Sequence, residues 1–85
     1  MENNPEILCK NSEKIHTTEM GGGRIKRNLG LDTQDVVGWC KNKILDKRSS
    51  IIKKVKNWYV SIDDVIITIN AYSYTIITAH KQKTI

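Results

Sequence analysis

The sequence predicts an α+β fold, with two to three N-terminal helices packed on a C-terminal four-stranded antiparallel meander. Three observations lead there. Capping residues precede apolar groups at helical spacing in the first half of the chain. From Ser50 onward the apolar period changes to two, and the strand-like runs that follow are joined by links of only two or three residues.

Asn4-Pro5 opens the first helix, with Asn as N-cap and Pro at the first helical position, and the segment is expected to run to about Ile15. Ile7, Leu8 and Ile15 form its apolar stripe. Thr17 then makes a good N-cap for a second helix, with Met20, Ile25 and Leu29 near helical spacing. Gly21, Gly22 and Gly23 interrupt it, each costing about 1 kcal/mol relative to Ala inside a helix. Either this helix begins late, near Gly23, or something approaches its backbone closely. Gly30 ends it in the C′ role.

The third helix carries the clearest signal and is expected over 33–46. Asp32, Thr33 and Asp35 favour its start, and Val36, Val37, Trp39, Cys40, Ile44 and Leu45 give it a broad apolar face. Lys41, Lys43, Lys47 and Arg48 suit the negative end of its dipole. Strands are expected over 51–55, 58–62, 65–70 and 73–80, with turns at Lys56-Asn57, Asp63-Asp64 and Ala71-Tyr72. Their Val, Ile, Thr and Tyr content fits a half-buried pleated surface. A sheet this small cannot stand alone, so the helices must cover one face. Residues 13–82 are read as a single domain and 1–12 as a helical or partly disordered lead-in.

Eighty-five residues allow one domain. With no Phe, the core falls mainly to Ile and Val. No apolar run approaches the roughly 20 residues of a membrane span, and Met1, Glu2, Asn3 and Asn4 lack the pattern of a signal peptide, so a cytoplasmic location is expected. Cys9, Cys40, His16 and His80 make a Cys2His2 set in number only; none falls at a paired ligand spacing, so no metal and no cofactor are expected.

The net charge of +5 is unevenly placed. Lys10 and Lys14 against Glu2, Glu6, Glu13 and Glu19 leave residues 1–20 at −2, while residues 21–60 reach +7 and the remainder balances. A basic middle points to a polyanion, RNA or a phosphorylated nucleotide, although lysines that merely solvate exposed faces would look the same.

Several side chains offer chemistry to such a partner. Strict alternation along 73–80 puts Ser73, Thr75, Ile77 and Ala79 on one face and Tyr74, Ile76, Thr78 and His80 on the other. Polar groups repeating at period two form an array for phosphates or bases, though Thr is also simply a good strand residue. His80, beside Lys81, and His16, before Thr17-Thr18, are candidate acids or bases. Arg24 and Arg27 share one side of a helix and suit a phosphate. Histidine, arginine and hydroxyl together suffice for metal-free RNA cleavage, which needs a base for the 2′-hydroxyl, an acid for the leaving oxygen and cations for the transition state. Gly21-Gly22-Gly23-Arg24 is not a Walker loop. Trp58-Tyr59 could stack on bases, but alternation buries one of the two, and Trp39 is expected in the core.

His-Thr-Thr-Glu-Met-Gly at 16–21, Asp35-Val36-Val37-x-Trp39-Cys40, Lys56-Asn57-Trp58-Tyr59-Val60 and the long run from Ile67 to Lys81 resemble an uncharacterised family of small bacterial and phage proteins, domain of unknown function 3781. The resemblance runs from about residue 13 to 82 and implies no activity. More distantly, helices followed by a meander ending in Ser-Tyr-Thr-Ile-Ile-Thr-Ala look like the barnase, EndoU, colicin and RelE-like group of metal-independent ribonucleases. That likeness implies His16 as acid or base, Arg24 as phosphate clamp, and Ser73, Thr75, Thr78, His80 or Lys81 as the wall of the site.

The functional expectation is thus a small ribonuclease-like domain of toxin or phage-effector type. Its catalytic candidates are His16, Arg24 and His80; its substrate-binding candidates are Thr17, Thr18, Arg27, Ser73, Tyr74, Thr75, Thr78 and Lys81. The alternative is a non-catalytic nucleotide- or nucleic-acid-binding module, such as one that sequesters a nucleotide signal or blocks a host defence protein. Convergence of His16, Arg24 and His80 in one cleft is the structural requirement of the catalytic version.

Overall fold

Local sequence decides where each helix starts, and the computed structural model, which describes residues 5–81, shows how. α1 spans Pro5–Lys10 and gives way to a 3-10 turn at Ser12–Lys14, so the first helix stops short of Ile15. Its expected cap, Asn4, lies outside the described residues. α2 spans Glu19–Leu29 and runs straight through the three glycines. Thr18, not Thr17, caps it, accepting a hydrogen bond from the Gly21 N–H at 2.9 Å. Gly30 closes it with φ 63°, a left-handed conformation that Gly adopts without strain. α3 spans Val36–Ile44, shorter than expected because Asp35 is the residue that caps it, through the Gly38 N–H at 3.0 Å.

The remaining chain is one four-stranded antiparallel sheet in the order β1-β2-β3-β4, with β1 at Ser50–Lys54, β2 at Asn57–Ile62, β3 at Val65–Asn70 and β4 at Ile76–Lys81. The β1–β2 turn is Val55-Lys56, one residue before its expected place. Val55 takes φ 56°, a position where hairpins usually call for glycine. Asp63 and Asp64 both take positive φ, which suits a two-residue hairpin turn and short polar side chains.

The expected alternation along the last strand fails at one residue. Thr68 pairs with Thr78 but Ile69 pairs with Ile76, leaving Ile77 as an extra, unpaired residue. A bulge of this kind shifts every side chain before it to the other face. Ile76 and Ala79 therefore both enter the core, contrary to the strict period-two reading, and Ile77 is exposed.

The core lies on one side of the sheet. Leu8, Ile25, Leu29, Val36, Cys40 and Ile44 from the helices meet Trp58, Val60, Val65, Ile67, Ile69, Ile76 and Ala79 from the strands. Leu8, fully buried, makes α1 part of that core. Burial pushes the Cys40 thiol up to about 11. Among the described residues no helix covers the opposite sheet face, which carries Ile52, Tyr59, Thr68 and Thr78 in one cross-strand row, Thr68 buried between its neighbours, and Ser50, Ser61, Ile66 and His80 in the next.

The two sheet edges are treated differently. The free edge of β4 is closed by side chains and backbone from the helical half: Thr17 Oγ1 donates to the Ile76 carbonyl at 3.3 Å, and Asn28 Nδ2 to the Ala79 carbonyl at 3.3 Å. His16 continues the ladder, its N–H donating to Tyr74 and its carbonyl accepting from Ile76 at 2.7 Å. β1 is the other edge of the sheet.

Candidate functional site

The β3–β4 connection is organised by Asn70. Its Oδ1 accepts the N–H groups of Tyr72 and Ser73, both at 2.9 Å, and lies 3.3 Å from the Ser73 hydroxyl oxygen. Tyr74 follows with φ 60°, a left-handed turn residue whose ring packs toward the core, with Lys14 Nζ 5.8 Å from its centroid. The chain then brings Ser73 Oγ to 2.8 Å from Thr75 Oγ1, and Thr75 Oγ1 to 3.1 Å from His16 Nε2.

The other side of that imidazole is fixed. His16 Nδ1 lies 2.8 Å from the Lys14 carbonyl oxygen, which can only accept, so Nδ1 carries a proton. In the neutral ring Nε2 is then an acceptor and the Thr75 hydroxyl donates to it. The single Ser73 hydroxyl proton then goes to Thr75 Oγ1, and it is the Ser73 N–H that links this row to Asn70. Lys56 stands close by, because its carbonyl accepts the Ala71 N–H at 2.7 Å and so joins the β1–β2 turn to this loop.

The three catalytic candidates do not share a cleft. His80 pairs across from Ile66 near the opposite end of the sheet, with its Nδ1 on the Lys81 carbonyl at 3.3 Å. Five residue steps, the bulge among them, separate it from Thr75, at most about 16 Å at roughly 3.3 Å per residue. Arg24 lies on the side of α2 shared with Gly21 and Asn28, exposed, and neither it nor Arg27 forms an ion pair among the described residues.

The substrate-binding candidates also divide. Ser73 and Thr75 join His16. Thr17 and Thr18 are occupied by the β4 edge and the α2 cap. Thr78 sits on the open face beside Thr68, and Lys81 lies at the far end with His80. That far end is electrostatically balanced: Arg48 binds Asp46 at 3.0 Å and Asp63 at 3.4 Å, and Lys43 binds Asp63 at 3.0 Å. Hydrogen bonds from Arg48 hold the Asp46 carboxyl down to about 2. Among the described residues no three His, Cys, Asp or Glu side chains gather to hold a metal, and no helix is long and apolar enough to cross a membrane.

Sequence reading missed Asn70 as the organiser of the loop and the backbone of Lys14 and Lys56 as its neighbours. The Asn-x-x-Ser spacing, in which an Asn side chain collects the following N–H groups, was the available signal for the first. Trp39 is half-buried, not fully core, with Lys43 Nζ 5.2 Å from its ring centroid.

A family model described as a protein of unknown function (DUF3781) matches residues 9–80. The chain belongs to this family. No curated protein and no solved structure matches the chain, so the more distant resemblance to the ribonuclease group gains no support. Membership covers the whole hydrogen-bonded chain, from His16 and Lys14 through Asn70, Ser73 and Thr75.

Proposed function

We propose that this chain is a binding module for RNA or a phosphorylated nucleotide, and that it holds its ligand without cleaving it. The observation that carries this reading is the row of hydroxyl, imidazole and amide groups through Asn70, Ser73, Thr75 and His16, which Lys14 and Lys56 adjoin through their backbone carbonyls. The ion-paired acidic residues Asp46 and Asp63 lie at the opposite end of the sheet. Charge is therefore left to act at the end where the donors are. A phosphate here would accept from the Ser73 and Thr75 hydroxyls as they turn away from their internal partners. Acid–base cleavage needs a second proton-transfer group near the first, and His80 is too far along β4 to serve.

Binding is tested by fluorescence anisotropy with labelled single-stranded RNA and by thermal shift with a nucleotide panel. Affinity should fall steeply as salt is raised, because phosphate contacts release counterions. Absence of both an anisotropy change and a thermal shift across the panel ends this reading.

One observation favours a catalytic version. The Lys14 carbonyl fixes the His16 tautomer so that Nε2 faces a hydroxyl, an arrangement suited to taking a proton. Incubation of labelled RNA with excess protein in EDTA decides it; RNA that stays intact removes the enzyme.

A further inference from the structure

We infer that the open face of the sheet carries a stacking site for one base of single-stranded RNA, centred on Tyr59; this rests on the RNA-binding reading above. Between β1 and β2 lies an open hollow of about 350 Å³ lined by Ile52, Lys54 and Tyr59. Pairing in the sheet explains why these three meet. Ile52 is opposite Tyr59 in the register, and Lys54 is opposite Asn57. Trp58 takes the core side of β2, so Tyr59, half-buried, presents its ring to the face opposite the helices. An aromatic ring, an aliphatic side chain that is half exposed and a cation at the rim match a base with its phosphate.

A second, independent feature sits beside the ring. Asn57 Nδ2 reaches the Tyr59 hydroxyl at 3.5 Å, while its Oδ1 is shielded from solvent and has no hydrogen-bond donor. This contact holds the Tyr59 hydroxyl beside the β1–β2 turn and leaves the ring, with Ile52 and Lys54, to line the hollow.

The strand carrying the hollow is tied by the backbone ladder to the site at the end of the sheet. Asn57 pairs with Asn70, and Asn70 binds Ser73. Neighbouring strands are about 4.8 Å apart and Tyr59 lies two residues along from the Asn57–Asn70 row, so Tyr59 and the Ser73–Thr75 segment entering β4 are roughly 12 Å apart. A strand of RNA crossing this end would place one base on Tyr59, its phosphate toward Lys54, and a neighbouring phosphate toward Ser73 and His16.

The test uses the full chain and a fluorescein-labelled RNA octamer read by anisotropy. Tyr59→Leu should weaken binding about tenfold or more, the loss expected for one base stack, while Tyr59→Phe stays within about threefold of the parent. An octamer with the same number of phosphates but no bases should bind the parent and Tyr59→Leu equally. Parent protein that binds RNA together with a Tyr59→Leu variant of equal affinity overturns the stacking site and leaves the phosphate reading in place. Parent protein that binds no RNA overturns both. Should Tyr59→Leu lose its folded circular dichroism signal, the ring protons of Tyr59 in the parent decide: an upfield shift on RNA addition supports stacking, and unchanged shifts overturn it.

Discussion

His16 Nε2 and Thr75 Oγ1 stand 3.1 Å apart although 59 residues separate them in sequence. The contact ties the segment before α2 to the loop before β4, and it orients the only imidazole near the proposed phosphate site. Replacing Thr75 by Val keeps the β-branched shape and removes the hydroxyl. Stability should fall by about 1 kcal/mol in urea denaturation, the usual worth of one hydrogen bond, and RNA affinity should drop. His80→Ala, at the other end of the strand, should leave affinity unchanged.

The glycines of α2 should respond in opposite directions. A Cβ on Gly21 would sit 2.6 Å from Thr17 Oγ1, the hydroxyl that closes the β4 edge, whereas a Cβ on Gly23 meets nothing within 4 Å. Gly21→Ala is therefore expected to destabilise, and Gly23→Ala to stabilise by about 1 kcal/mol through helix propensity. Urea midpoints of the two variants check the pair. If Gly23→Ala is neutral in stability but weakens RNA binding, the bare helix surface serves a ligand.

Val55 holds φ 56° at an exposed hairpin tip, which costs a β-branched residue about 1 to 2 kcal/mol. Val55→Gly should stabilise the fold by about 1 kcal/mol. Thermal and urea unfolding will show whether the strain is relieved.

The two cysteines should differ in reactivity. Cys40 is fully buried, and its thiol is pushed up to about 11, whereas Cys9 is partly accessible. A thiol-specific reagent at neutral pH should modify Cys9 in the folded protein and reach Cys40 only after unfolding. Because the folded value lies above the ordinary 9.0, the unfolded chain gives up this proton first as pH rises. The stability tied to the neutral thiol is intact below pH 9 and is lost as pH climbs through about 11.

Asp46 gives the opposite sign. Its folded value is depressed from 3.8 to about 2, so its contribution is present above pH 3.8 and disappears as pH falls through about 2. Denaturation midpoints between pH 5 and 2 for the parent and Asp46→Asn should converge at the acidic end.

The elements of this fold were largely legible because apolar period and capping residues are local signals. β3 matches its expected range, and α3 and β2 differ at their ends only, α3 starting three residues later than expected behind Asp35 and β2 one residue earlier at Asn57. The last strand was not legible in detail. Nothing local in Ile76-Ile77 announces which isoleucine will bulge out; that is settled by pairing with β3 and by Ile76 filling the core. The candidate site was half legible for a similar reason. Ser73, Thr75 and His16 stood out as residue types, but their meeting, and the separation of His80 from them, depends on a contact across 59 residues that no local pattern encodes.

That long contact also sets when the protein can exist. Residues 16 and 17 find their partners only at Tyr74, Thr75 and Ile76, and Asn28 only at Ala79. During synthesis the N-terminal third must therefore wait, with Leu8, Ile25 and Leu29 uncovered, until Ala79 has left the ribosome. Every nascent length short of Ala79 is exposed to chaperones and proteases.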